Sequence, residues 1–441
     1  MAARIRVALI GLFLDACDAY TLAGYTFETD VGAAWASLDV GLAAMSNASR
    51  YQDWAGTLAS FDSVSASINV SLASLAPVPS GEYKVLTTSY WGSPLQADTV
   101  VRDSILGTGP VAGWDASSRR ELLTKSAAYE VVRQYIFYRL YQGVEACHAT
   151  DNQTHGAGTA AHGVEDWEIG YALHAGSLEG TEGIGSGKST YALGDKRCPQ
   201  FDTCVGDSPI ATNNQRALEG WLRGVAALSN GECFTALREY HEIVSQLTVP
   251  LVQGMLREAY EVDPEGGAAT ADGVVEVAEG WAFTSAILPQ IALCNATIGA
   301  TIRTNMALSL NGANGAHVAS GFRTLKREVE SIYPCLGITC ADVGGMLSNG
   351  EPIAGMEPCT ESREPDLMTV VIALATALGV VLLIMCVCAI MCDVVNNFFE
   401  CTQRMFEGCC NCLFCVNKPK SGGGKKAGGE YEVSVAGGSR A

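Results

Sequence analysis

The sequence predicts a mainly α protein. Its core is a disulfide-linked helical ectodomain made of two related helical-bundle units, with one C-terminal transmembrane helix. Three observations carry this reading. Alanine, leucine, glutamate and arginine recur at spacings of three and four, while strand-like alternation is rare. Met368 to Met391 form a 24-residue apolar run without a charge, and about 20 apolar residues suffice for a helix to cross a bilayer. Eight cysteines lie between residues 20 and 367, an even number suited to disulfides in an oxidising compartment.

The elements follow in chain order. Residues 1–19 read as a signal peptide: Arg4 and Arg6 precede Val7 to Leu14, with small residues at Ala16, Cys17 and Ala19. Asp15 is irregular for such a peptide. Residues 20–115 form an N-terminal helical region, with helices expected over 32–46 and 50–62. Helical unit 1 covers 116–232, with helices over 116–147, 160–178 and 213–230. Residues 127–141 show its plainest amphipathic stripe. Helical unit 2 covers 233–345, with helices over 233–262, 273–294 and 315–332. Glycine clusters at 156–163, 180–187, 265–273 and 311–315 read as loops. A juxtamembrane stalk (346–367), the span (368–391) and a cytoplasmic Cys-rich and Gly/Lys tail (392–441) complete the chain.

Flanking charge orients the span. Arg404, Lys418, Lys420, Lys425, Lys426 and Arg440 follow it, while Glu357, Glu361, Glu364 and Asp366 precede it. Basic residues stay cytoplasmic, so the ectodomain faces outward in type I topology. Its disulfide candidates are Cys147, Cys198, Cys204, Cys233, Cys294, Cys335, Cys340 and Cys359. Cys198 with Cys204, and Cys335 with Cys340, are close enough to close small loops, but spacing alone leaves the pairing open. Four sequons mark glycosylation sites at Asn47, Asn69, Asn152 and Asn295, all on the outer side. Inside, Cys392, Cys401, Cys409 and Cys410 are placed for S-palmitoylation. The cramped spacing of Cys409, Cys410, Cys412 and Cys415, with no histidine following, argues against zinc.

Formal net charge is −19, and the segment between signal and span keeps 20 basic and 40 acidic residues. That surface excludes nucleic acid as a partner and is compatible with cation binding.

A short internal repeat carries the candidate chemistry. His162-Gly-Val-Glu-Asp-Trp-Glu168 can be laid on Glu276-Val-Ala-Glu-Gly-Trp-Ala282, matching Glu165 with Glu279 and Trp167 with Trp281. His162, Glu165, Glu168, Tyr171 and His174 follow at three-residue steps, so only neighbours can share one site on a helix. Carboxylate, imidazole and phenolate are donors that suit iron, and helix bundles project such donors inward. An isolated Glu-x-x-Glu is usually a surface pair; the matched tryptophan and the second copy bring the metal reading level with it, and tyrosines near 129–141 are more often core than ligand. Gly185-Ser-Gly-Lys-Ser189 mimics a phosphate-binding loop, but Glu182 stands where the motif needs glycine, and no strand precedes it.

Three segments carry a family resemblance. They are Glu165 to Gly180, Ser189 to Cys204, and Glu276-Val-Ala-Glu-Gly-Trp-Ala-Phe283. Over roughly 120–345 the chain resembles the algal low-iron-inducible Fe-assimilating proteins, and its single C-terminal span resembles the membrane-anchored phytotransferrins among them. The resemblance implies a plasma-membrane protein, not an enzyme, that captures Fe(III) with carbonate as synergistic anion. It further implies endocytosis, release in an acidified endosome, and a ferrireductase or the endocytic machinery as partners. The family's Glu-x-x-Glu motifs map here onto Glu165/Glu168 and Glu276/Glu279, and the three-residue spacing adds His162 and Tyr171 as candidate metal ligands. The carbonate clamp would come from Arg133, Arg139, Lys188, Lys196 or Arg197. Protonation of carbonate and of a histidine such as His162 would release iron in acid. Tyr431-Glu-Val-Ser434 departs from a tyrosine-based sorting signal, ending in serine where a bulky apolar residue is expected.

Two rival classes stand beside this reading. One is a di-iron oxidase, although no Glu-x-x-His occurs in the matched helices. The other is an adhesion or structural surface glycoprotein, for which cysteines, glycans and a span suffice.

Overall fold

The computed structural model describes residues 20–78, 81–151, 159–263, 273–308, 318 and 320–360. The expected signal peptide, transmembrane span, lipidated cysteines and tail, together with Asn152, lie outside them. The described chain is mainly helical, with two hairpins of two-residue strands, and belongs to one unit running to Glu361.

The first hairpin pairs β1 (Thr21–Leu22) with β2 (Tyr25–Thr26). Six helices follow: α1 (Gly32–Ala36), α2 (Leu38–Arg50), α3 (Trp54–Asp62), α4 (Leu72–Leu75), α5 (Glu82–Trp91) and α6 (Gln96–Leu106). The helix expected over 50–62 starts only at Trp54. Gln52 takes positive φ (57°), and the Asp53 carboxylate caps α3 by accepting from the Gly56 N–H. The two short helices α5 and α6 had weak sequence signals: each ends at a left-handed glycine, Gly92 or Gly107.

The helix expected over 116–147 is three segments end to end. α7 (Ala116–Ser126) passes through a π-helical turn (Ala127–Val132) into α8 (Arg133–Asp151). Then come α9 (Thr159–Ala175), α10 (Thr190–Phe201), α11 (Thr212–Ser229) and α12 (Cys233–Gln246). α13 (Val249–Glu261) is separate from α12 because Pro250 has no N–H to continue the ladder and instead occupies the first turn of a new helix. α14 (Gly273–Cys294), α15 (Ala296–Met306), α16 (Phe322–Glu330), α17 (Tyr333–Leu336) and α18 (Cys340–Val343) follow, ahead of the hairpin β3 (Leu347–Ser348) and β4 (Glu351–Pro352).

Two antiparallel helix pairs organise the core. α8 packs on α9 and α13 on α14. Gly143 and Gly163 make the first pair possible: a Cβ on Gly143 would lie 2.8 Å from the Gly163 carbonyl oxygen. Gly254 does the same for the second, since its Cβ would lie 2.6 Å from the Phe283 ring. Both tryptophans of the internal repeat fall on the second helix of a pair. Trp167 and Trp221 exchange indole-to-carbonyl bonds at 3.1 and 3.3 Å, and Trp281 meets Trp91 edge-on at 6.0 Å. α12 packs on α11 and α8, and α7 packs on α14, so helices on both sides of residue 232 share one buried core.

Four disulfides tie the fold. Cys198–Cys204 closes the expected small loop, whereas Cys335 bonds Cys294 and Cys340 bonds Cys359. Cys147–Cys233 links the end of α8 to the start of α12, with Cα atoms 5.5 Å apart. Among the described residues one stretch, Val275–Cys294, is long and apolar enough to cross a membrane; it is 72% buried within this core.

Candidate functional site

A cluster of buried charge gathers around Arg197 and Glu279. α10 packs against α9, α11 and α13, and that position seals the Arg197 guanidinium completely from solvent. One nitrogen, Nη2, donates to both Glu258 Oε1 (3.1 Å) and Glu279 Oε1 (3.3 Å). The other, Nη1, donates to Gln200 Oε1 at 2.9 Å, and the guanidinium lies 4.9 Å from the Phe283 ring centroid. Two carboxylates, from α13 and α14, therefore share one guanidinium nitrogen.

Glu279 collects two further cations. Lys125 Nζ lies 3.3 Å away and Lys196 Nζ 3.7 Å away. Lys125 also holds Glu121 at 2.5 Å, and Arg257 holds Glu258 at 3.0 Å. Tyr129, one turn beyond Lys125 on the π-helical turn, stacks on Phe283 with ring centroids 5.7 Å apart. π-helical turns are rare and recur at functional sites; this one carries Tyr129 and the buried Glu130. Gly280 lets α13 and α14 approach closely here: a Cβ on it would lie 3.0 Å from the Glu258 Cβ.

The electrostatics separate the two carboxylates. Burial works to raise Glu279, but Lys125, Arg197 and Lys196 outweigh it and hold the carboxyl at about 2. Glu258 moves the opposite way: burial and the Glu279 charge push it up against Arg197 and Arg257. One member thus favours the ionised form and the other resists ionisation. Burial also raises the Tyr129 phenol, with Lys125 and Arg197 opposing.

A cavity of about 480 Å³ opens beside this cluster, bordered by Tyr129, Lys125 and Lys196 and reaching Arg120, Lys188 and Asp195. Its far wall is the glycine loop that mimics a phosphate-binding motif. There the backbone wraps the chain's own Glu179 carboxylate: Gly185 N–H donates to Oε2 at 3.1 Å, and a Cβ on Gly187 would lie 2.1 Å from Oε1. The glycines are explained by that close approach to a carboxylate rather than to a nucleotide.

No protein-family model, curated protein or solved structure matches the chain. The site must be read from its own residues.

Of the residues expected to bind metal or anion, Glu279, Lys196 and Arg197 come together, and Lys188 borders the adjacent cavity. The others lie elsewhere. Glu168 is buried and accepts from Glu28 N–H (2.6 Å), Thr29 N–H (2.9 Å), Thr29 Oγ1 (2.5 Å) and Tyr25 Oη (3.2 Å), which fastens the N-terminal segment to α9. Tyr171 is buried, donates to the Ala23 carbonyl at 2.8 Å and stacks on Tyr25. Glu165 and Glu276 are half-buried on α9 and α14, and the His162 side chain lies outside the described residues. Arg133 is buried among Tyr83, Thr248, Gln290 and the Ala286 carbonyl. Arg139 pairs with Asp166 at 2.7 Å. Among the described residues no group of three or more His, Cys, Asp or Glu is arranged to hold a metal. Asn47, Asn69 and Asn295 are exposed.

Sequence reasoning did not single out Lys125, Glu258, Glu121 or Tyr129 as site residues. A signal existed for Glu258. It is a charge embedded in Val249-Pro-Leu-Val-Gln-Gly-Met-Leu-Arg-Glu-Ala259, and such a residue is rarely buried without partners.

Proposed function

We propose that the protein binds ferric iron with a synergistic carbonate at the cluster around Glu279, and that it does so as a membrane-anchored surface protein for iron uptake. The observation that carries the reading is the meeting of Glu279, an expected metal ligand, with Arg197 and Lys196, two expected anion-clamp cations. Glu258, Glu279 and the Tyr129 phenol supply hard oxygen donors, the kind ferric iron favours. Lys125, Lys196 and Arg197 supply the countercharge a carbonate needs beside a trivalent ion. The four disulfides suit an oxidising exterior.

Acid release follows from the donors. Iron must displace the proton that Glu258 tends to keep and the phenolic proton of Tyr129, so affinity falls as pH falls. This route does not require His162.

The test uses the purified full-length chain in detergent. Ferric binding is titrated with and without bicarbonate from about pH 8 to about pH 5. Bicarbonate-dependent binding that weakens in acid, and that Glu258→Gln and Tyr129→Phe each reduce at least tenfold, is expected. Iron held equally well with both variants, or no binding at any pH, would overturn the assignment.

A further inference from the structure

The cavity beside Glu279 is far larger than one carbonate, and two of its lysines have hydrogen-bonding capacity to spare. Glu121 spends both carboxylate oxygens, one on Arg120 and one on Lys125. Glu179 is enclosed by the glycine loop. Asp195 turns its Oδ1 to the Ala211 N–H and the Asn214 amide, each at 2.8 Å. Arg120 and Lys125 are paired with Glu121 in turn, but Lys188 and Lys196 are less committed. An ammonium has three donors; Lys196 has one long contact, to Glu279 at 3.7 Å, and its side chain is 53% exposed. Lys188 is exposed at the rim. Arg120 and Lys188 also border an adjoining cavity of about 390 Å³ that reaches Arg50. A basic track thus runs from Arg50 through Arg120 and Lys188 to Lys196, within a segment whose acidic residues outnumber basic ones two to one.

A cavity of this size lies within the range of about 300–1,000 Å³ that holds small organic ligands. Cations spread along a track recognise several separated negative groups better than one compact oxyanion. We infer that the cavity binds a small polycarboxylate of the citrate class through Lys188 and Lys196, with Arg120 and Lys125 bordering the site. The second half of the inference rests on the iron reading: ferric iron would reach Glu279 as such a chelate, passing from the chelator's carboxylates to Glu258, Glu279 and Tyr129.

Calorimetric titration of the iron-free, full-length chain tests the binding step without iron. Citrate, tricarballylate and inorganic phosphate are the probes, and wild type is compared with Lys188→Glu. Citrate and tricarballylate should bind, phosphate more weakly, and Lys188→Glu should weaken citrate about tenfold with an unchanged melting temperature. Lys188 is exposed, so that variant is expected to fold. No citrate binding, phosphate binding tighter than citrate, or equal citrate affinity in Lys188→Glu would each overturn the inference. Bicarbonate-dependent ferric binding without citrate binding would leave the iron reading standing alone. Citrate binding without ferric binding would do the reverse.

Discussion

Glu168 and Glu279 show how little a motif says about a residue's task. Each is the last residue of a Glu-x-x-Glu, one on α9 and one on α14. Glu168 is surrounded by N–H and O–H donors and meets no cation in the bonds it makes. Glu279 meets three cations. Substitution should separate the two roles. Glu168→Gln removes the charge that strengthens three hydrogen bonds to the 28–29 backbone and hydroxyl. It should cost about 2–3 kcal/mol by denaturant titration, given that hydrogen bonds to charged groups contribute about 1.5–3 kcal/mol. Ferric affinity should change less than threefold. Glu279→Gln leaves Lys125 and Arg197 short of countercharge, and breaking such a buried pair costs about 3–5 kcal/mol; in that variant iron binding should be lost as well. Iron binding that follows Glu168 instead of Glu279 would show that the site lies on α9.

At the level of elements, close packing of glycine-faced helices and a long-range disulfide hold the frame that positions the cluster. The Cys147–Cys233 bridge closes 86 residues, from the end of α8 to the start of α12. Loop-closure entropy assigns a bridge of that span about 4–5 kcal/mol. The double variant Cys147→Ser/Cys233→Ser should therefore unfold at markedly lower denaturant concentration. The remaining bridges, Cys198–Cys204 among them, stay intact beside Arg197. A smaller change probes the α8–α9 crossing. Gly143→Ala would bring its Cβ to 2.8 Å from the Gly163 carbonyl oxygen, so the helices must part. It should destabilise by about 1–3 kcal/mol, the usual cost of overpacking. A melting temperature equal to wild type would show that the crossing has slack.

The whole molecule carries its buried acids as a pH-dependent load. Glu130 is sealed in the core behind the π-helical turn, bonded to Ser285 Oγ at 2.8 Å. Burial pushes its carboxyl up to about 7. A raised carboxyl leaves stability untouched below its unfolded pKa of about 4.3. Stability then declines as pH rises toward 7, because the unfolded chain ionises first. Glu279 has the opposite sign: its contribution is complete above the unfolded value and fades as pH falls toward about 2. His174, lowered to about 3 by burial, also destabilises the fold as pH drops below about 6.5. The Glu130 term can be isolated by difference. Relative to wild type, Glu130→Gln should gain stability steadily between about pH 4.5 and pH 7, by up to about 3 kcal/mol, since one pKa unit is about 1.4 kcal/mol. A difference that does not vary with pH would mean that Glu130 ionises freely in the fold.

The chain by itself determined the helical class, because periodicity is a local property, and it marked the eight cysteines that bond; short spacing matched Cys198–Cys204 but not Cys335 and Cys340, which bond elsewhere. It also marked Glu279, Lys196 and Arg197 as residues of interest. Local reading failed where the signal was weak or interrupted. α5 and α10 are short and bounded by glycine or interrupted near the end by Pro199, and Pro250 divided a helix that periodicity had joined. Only the tertiary structure decided which charges meet. Lys125, Arg197, Glu258 and Glu279 lie on four helices separated by tens of residues, and they converge because α7 and α13 both pack on α14 while α10 packs on α13. The same packing chose the remaining cysteine partners and buried Glu168 against the N-terminal segment. Side-chain spacing along one helix fixes what can share a face; what stands opposite that face is a property of the whole core.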